Sequence, residues 1–172
     1  MSRTWVTSDQ HFGHKNICIF LRENGEKLRP WDNCDDMDDE LVRRYNEYVK
    51  PGDKCYFLGD VCINRKALAT ISRLNGDKVL IKGNHDIFKL EDYTKYFRDI
   101  RAYMVTNRII FSHIPIHDQS KSRFLANVHG HTHSELVKNM NGHVDDWYIN
   151  VCVERTDFHP VLLDDIIKGI KQ

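Results

Sequence analysis

The sequence predicts a layered α/β protein. Strand and helix patterns alternate over its front part, strand pairs follow toward the back, and β-rich segments repeatedly run into a polar residue introduced by Gly or Ser. At 172 residues the chain is expected to form one domain, 1–172, able to bury about two-thirds of its unfolded surface. Lys+Arg and Asp+Glu balance at 25 each, so no overall field draws it to long nucleic acid or an anionic membrane. Cys18, Cys34, Cys55, Cys62 and Cys152 are scattered and form no Cys-x-x-Cys pair, as expected of reduced thiols in a cytoplasmic protein. No apolar run approaches the ~18 residues of a membrane span, and no apolar signal segment is seen.

Thr4 to Ser8 reads as a short strand emptying into Asp9-Gln10-His11-Phe12-Gly13-His14. A short helix is expected over Lys15 to Leu21, and a loop over Arg22 to Asn33, which holds Gly25 and Pro30. Asp35 to Val49 carries Met37, Leu41, Tyr45 and Tyr48 at helical spacing, with acids at its start and Pro51-Gly52 as its stop. Lys54 to Leu58 is a second strand, ending in Gly59-Asp60. Arg65 to Leu74 is expected to be a helix with Leu68, Ile71 and Leu74 inward. Lys78 to Ile81 is a third strand, followed at once by Lys82-Gly83-Asn84-His85-Asp86, and Leu90 to Phe97 is expected to be helical. Ile100 to Val105 and Arg108 to Phe111 read as paired strands joined near Asn107, the second leading to Ser112-His113. Phe124 to Val128 leads into His129-Gly130-His131-Thr132-His133. Tyr148 to Val153 is a late strand, and Pro160 to Lys171 a closing helix with Pro160 in its first turn.

The histidine cluster carries the chemistry. In an extended segment His131 and His133 point the same way, and Gly130 lets the backbone approach closely. A lone His-x-His pair is more often a surface feature than a metal site. Here further donors recur at the ends of separate strands: Asp9, His11, Asp60, Asn84 and His113. A dinuclear site needs two donor sets and a bridging group between ions about 3.5–4 Å apart, and a carboxylate is the natural bridge. Asp, His and Asn donors without thiolate favour Mn, Fe, Zn, Ni or Co over a soft-metal site or a structural zinc.

Asp9-x-His11, Gly59-Asp60, Gly83-Asn84-His85-Asp86, the lone His113 and Gly130-His131-x-His133 resemble the five ordered motifs of the calcineurin-like metallophosphoesterase superfamily. The longer string Asp9 to His14 resembles a small single-domain branch found in bacteria and their phages. The resemblance implies a four-layer αββα sandwich: two packed mixed β-sheets flanked by helices. It implies two divalent metal ions, manganese foremost. Asp9, His11 and His133 would bind the first, Asn84, His113 and His131 the second, and Asp60 would bridge them. Hydroxide between the two cations would attack phosphorus in line. His85 matches the family's catalytic histidine, with Asp86 either orienting it or serving as a turn residue.

The implied substrate is a small or nucleotide phosphodiester. The alternatives are a small phosphomonoester or, from a different class, a metal-bearing binding module without catalysis. His14, Lys15, Arg29, His117 and His129 are candidate substrate contacts, each set against a plainer role as solvated surface or, for His129, a packed imidazole bonded to backbone. Arg22, Lys121 and Arg123 are further basic residues able to grip phosphate, and Asn150 is a candidate brace for the site, set against the plainer reading of an ordinary strand-end asparagine.

Overall fold

The computed structural model describes residues 2–170. Two mixed sheets lie in a four-layer αββα arrangement. In the first, β1 (Thr4–Thr7), β2 (Lys54–Phe57), β3 (Asp77–Ile81) and β4 (Asp99–Arg101) run parallel, and β9 (Val161–Leu162) lies antiparallel against β1. In the second, β5 (Tyr103–Thr106) pairs antiparallel with β6 (Ile109–Ser112), and β7 (Ala126–His129) and β8 (Tyr148–Asn150) continue parallel to β6.

Strands buried on both faces read as nearly continuous apolar runs, and each face has its own partner. Val6, Leu58 and Ile81 of the first sheet meet Phe111 and Val128 of the second in one core. Trp5, Cys55, Phe57 and Leu80 point the other way, onto Met37, Leu41 and Tyr45 of α1 (Cys34–Tyr48) and onto Leu68 and Ile71 of a 3₁₀ helix over Arg65–Arg73. Each such large side chain contributes about 1.5–3 kcal/mol by leaving water. On the far side, the 3₁₀ helix Asp118–Arg123 lies against the second sheet, where the Tyr148 hydroxyl bonds Ile116 O at 2.8 Å and Asp118 Oδ1 at 3.0 Å. Two short helices, α2 (Leu90–Tyr93) and α3 (Leu163–Gly169), complete the set. Among the described residues no helix is long and apolar enough to cross a membrane.

Several expectations are corrected. Ile100 to Val105 is not one strand: β4 joins the first sheet, β5 the second, and the chain changes sheets at Ala102. Its unbroken β-forming run carries no Gly or Pro to mark the switch. Asn107 and Arg108 form the two-residue hairpin turn with φ of 50° and 61°, as a primed turn requires. Pro160 precedes β9 rather than opening a helix, because Val161 and Leu162 pair with Val6 and Trp5; the helix starts at Leu163, and Lys171 lies outside the described residues. Lys15 to Leu21 holds only a 3₁₀ turn over Lys15–Cys18. The Arg65–Arg73 helix is 3₁₀ throughout, capped by Asn64 Oδ1 on the Ala67 N–H at 3.0 Å. The expected helix to Phe97 stops at Tyr93, and the strand from Tyr148 ends at Asn150 before a 3₁₀ turn at Val153–Arg155.

Candidate metal centre

The donors sit where parallel strands end, three in the first sheet and two in the second. The ends are tied directly. Asp9 N–H donates to Gly59 O at 3.0 Å, Gly130 N–H to His113 O at 3.0 Å, and His131 N–H to Asp9 Oδ2 at 2.9 Å. A Cβ at Gly83 would strike the Asp60 carboxylate, and one at Gly130 would strike Ser8 and Asp9. Glycine is therefore required at both positions for the backbone to pass the carboxylates.

Two groups of ligand-capable side chains result: Asp9, His11 and His133, and Asp60, His113 and His131, each with donor atoms within 4.8 Å of one another. Asn84 joins the second group, its Oδ1 lying 2.8 Å from His113 Nε2. Asp60 Oδ2 faces both groups, 3.3 Å from His113 Nε2 and 3.7 Å from His11 Nε2.

The convergence does not come from strand alternation. Asp9, His11, Asp60, His131 and His133 all have positive φ, from 48° to 69°. β1, β2 and β7 break into left-handed backbone as they deliver these donors, a strained conformation that clusters at functional sites. His131 and His133 consequently serve different groups instead of facing one common point.

The bonding pattern fits cations. His113 Nδ1 must donate to Leu58 O, at 2.7 Å, because a carbonyl can only accept. In the neutral ring, Nε2 then presents a lone pair to two further oxygens, Asn84 Oδ1 and Asp60 Oδ2, which requires a proton or a metal ion between them. Asp9 Oδ2 is occupied by Ser8 Oγ and the His131 N–H, whereas Asp9 Oδ1 and both ring nitrogens of His11 are buried without a hydrogen-bond partner among the described residues. Such orphaned atoms are rare and call for a partner. Burial raises the Asp9 pKa, but His11 and the neighbouring imidazoles outweigh it and hold the carboxyl below its usual range. Burial likewise opposes charge on His113, yet Asp60 and Asp9 prevail and its pKa is raised.

Around these groups lies a buried frame. Glu154 Oε1 accepts from His133 Nδ1 at 3.0 Å and from Arg29 Nε at 2.9 Å, and Arg29 reaches on to the carbonyls of Asp9 and Gln10. Arg29 is 0% exposed, so the expectation that it grips substrate is corrected: its guanidinium is consumed in holding the β1 end. Asp86 is also corrected. Its oxygens accept from the backbone N–H groups of Asp60, Val61 and Gly83 at 2.8–3.1 Å, which makes it the pin between the β2 and β3 loops and leaves it no bond to His85.

His129 is buried with Nδ1 on Gly130 O at 2.8 Å, matching its plainer reading and closing it to substrate. His117 caps the Asp118–Arg123 turn, its Nδ1 accepting from the Gln119 N–H, and Lys15 is exposed on the turn after His14. His14 packs beside His11 with ring centres 5.5 Å apart, and burial among neighbouring cations lowers its pKa to about 4. His85 is exposed, its ring centre also 5.5 Å from that of His11, while its N–H donates to Asp60 Oδ1 at 2.8 Å.

Sequence reasoning missed Glu154 entirely; an acid directly after the apolar Tyr148–Val153 run was the available signal. It also undervalued Asn150, whose amide donates to Thr132 Oγ1 and to the carbonyls of His133 and Glu135, each at 2.9 Å, bracing the loop that carries both histidines.

A family model described as calcineurin-like phosphoesterase matches residues 2–165. An uncharacterized protein from Methanocaldococcus jannaschii is 29% identical over 188 aligned positions, covering 100% of this chain and 93% of that one. The gene 66 protein of Mycobacterium phage L5 is 35% identical over 91 residues, 50% of this chain and 41% of the phage protein. The crystal structure of a protein of unknown function from Aquifex aeolicus shares the fold with a TM-score of 0.68, at 24% identity and over 98% of this chain and 99% of that one.

Proposed function

The chain belongs to the calcineurin-like phosphoesterase family, and we propose that it hydrolyses phosphoesters with two divalent metal ions, acting foremost on small or nucleotide phosphodiesters. The observation that carries this reading is the pair of three-residue donor groups with Asp60 Oδ2 facing both. Asp9, His11 and His133 would hold one ion, Asn84, His113 and His131 the other, and Asp60 would bridge. A donor set of carboxylate, imidazole and amide without thiolate suits Mn, Fe, Zn, Ni or Co, and among these manganese is the ion that the family resemblance implies first. Two bound cations would supply an activated water and offset charge on the phosphoryl oxygens.

The chain's own groups supply the rest. His85, exposed beside the centre and free of any tie to Asp86, gives a proton to the departing oxygen or stabilises phosphoryl charge. His133 is fixed in the Nδ1–H tautomer by Glu154, and His113 by Leu58 O, so each presents Nε2 inward. Donors from both sheets are needed, so the two sheets act as one catalytic unit.

The test is turnover of bis-p-nitrophenyl phosphate against p-nitrophenyl phosphate, with Mn²⁺ and after chelation. Metal-dependent hydrolysis with preference for the diester is expected. Preference for the monoester makes the protein a phosphatase, and no metal-dependent turnover on either, or on a nucleotide panel, overturns the catalytic reading.

A further inference from the structure

Beside the donor groups the second sheet carries an open cleft of about 640 Å³, a size that suits a small organic ligand. Its walls are Tyr103, Ile114, Ile116 and Phe124, contributed by β5 and by the segment that follows His113. Tyr103 and Ile114 are 60% and 53% exposed, so this apolar surface is open to solvent within the fold. Lys82 and Arg123 line the same cleft, no carboxylate does, and neither cation makes an ion pair among the described residues. Asn84 and His113 belong to the cleft and to the second donor group alike, so the two spaces are continuous.

We infer that this cleft takes the organic substituent of the phosphoester: an apolar, ring-sized body bearing a second anionic group. The inference rests on the proposed phosphoesterase reading, which places the phosphoryl group at the donor end. A substituent leaving that point past Asn84 and His113 enters the apolar walls. Lys82 and Arg123 line the same space, and their unpaired positive charge favours an anion there. A substrate with a short alkyl substituent leaves the walls wet and the cations unused.

The experiment uses three non-hydrolysable probes that differ only in the substituent: methylphosphonate, phenylphosphonate and 4-carboxyphenylphosphonate. Dissociation constants are measured by calorimetry on the full chain loaded with Mn²⁺ and repeated after chelation. Phenylphosphonate is expected to bind about tenfold more tightly than methylphosphonate, equal to about 1.4 kcal/mol. The carboxylate is expected to add about threefold, a gain that disappears in high salt as an exposed charge contact should. Arg123→Gln should erase the carboxylate gain alone, and Tyr103→Ser should reduce the phenyl gain while sparing methylphosphonate. Both side chains are exposed, so neither variant threatens folding.

Equal affinities for the three probes, or ratios unmoved by both variants, overturn the inference. So does a protein that sediments as a dimer and becomes monomeric in Tyr103→Ser, which would assign the face to a second copy of the chain. Failure of the metal reading is seen separately, as loss of methylphosphonate binding with Mn²⁺ present; the inference falls with it.

Discussion

Glu154 Oε1 holds His133 Nδ1 at 3.0 Å from a fully buried position, and the same oxygen is clamped by the equally buried Arg29. Burial alone would raise the Glu154 pKa, but Arg29 and His133 outweigh it and keep the carboxyl ionised. A fixed anion behind His133 orients the ring and increases its basicity. Glu154→Gln is therefore expected to weaken metal binding at the Asp9–His11–His133 group by about 10–100-fold and to leave the other group loaded. Titration in metal buffers with elemental analysis reads this directly, and an unchanged first affinity removes the role. Glu154→Ala strands the Arg29 charge and should cost about 3–5 kcal/mol, visible as a fall in Tm.

His85 separates binding from chemistry. Only its backbone N–H touches Asp60, and its ring is exposed. His85→Ala should retain two metal ions per chain while turnover of a phosphodiester falls about 10²–10⁴-fold. Full activity at full occupancy rejects the assignment.

Asp86 separates pinning from catalysis. Asp86→Ala leaves three backbone N–H donors at the β2 and β3 ends without their acceptor. At about 1–3 kcal/mol for each buried donor left unpaired, denaturant unfolding should show a loss of at least about 2 kcal/mol. A variant with unchanged stability and reduced kcat would instead return Asp86 to the role of orienting His85.

Asp38 supplies a pH signature away from the donors. Burial pushes its carboxyl up to about 7, against the Gly13 N–H that bonds it and with Asp35 and Asp39 adding to the rise. The folded state then holds this proton where the unfolded chain has released it, so folding stability falls as pH rises from the ordinary value of 3.8 toward about 7. The penalty is absent below that window and complete above it. Asp38→Asn should unfold with a flatter pH dependence than the parent and gain relative stability between those limits. Parallel stability–pH curves for the two proteins contradict the raised pKa.

The donor types, their order and their spacing after strand-like runs were legible because side-chain chemistry and local periodicity are properties of short segments. Asp9, His11, Asp60, Asn84, His113, His131 and His133 announce a metal site by kind alone, and Met37, Leu41 and Tyr45 announce α1 by repeat. Asp86 and Arg29 misled because an acid beside a histidine and a lone arginine look functional until their bonds are known.

The amino-acid sequence by itself determined which side chains are present to bind cations, that strands deliver them, and that Gly83 and Gly130 directly precede the donors Asn84 and His131. Tertiary structure alone decided that left-handed backbone is what parts His131 from His133, that the chain changes sheets at Ala102, and that Glu154 and Arg29 meet across 125 residues. Those outcomes depend on left-handed turns and long-range pairings, whose energies come from packing partners distant in the chain, so no short window of residues encodes them.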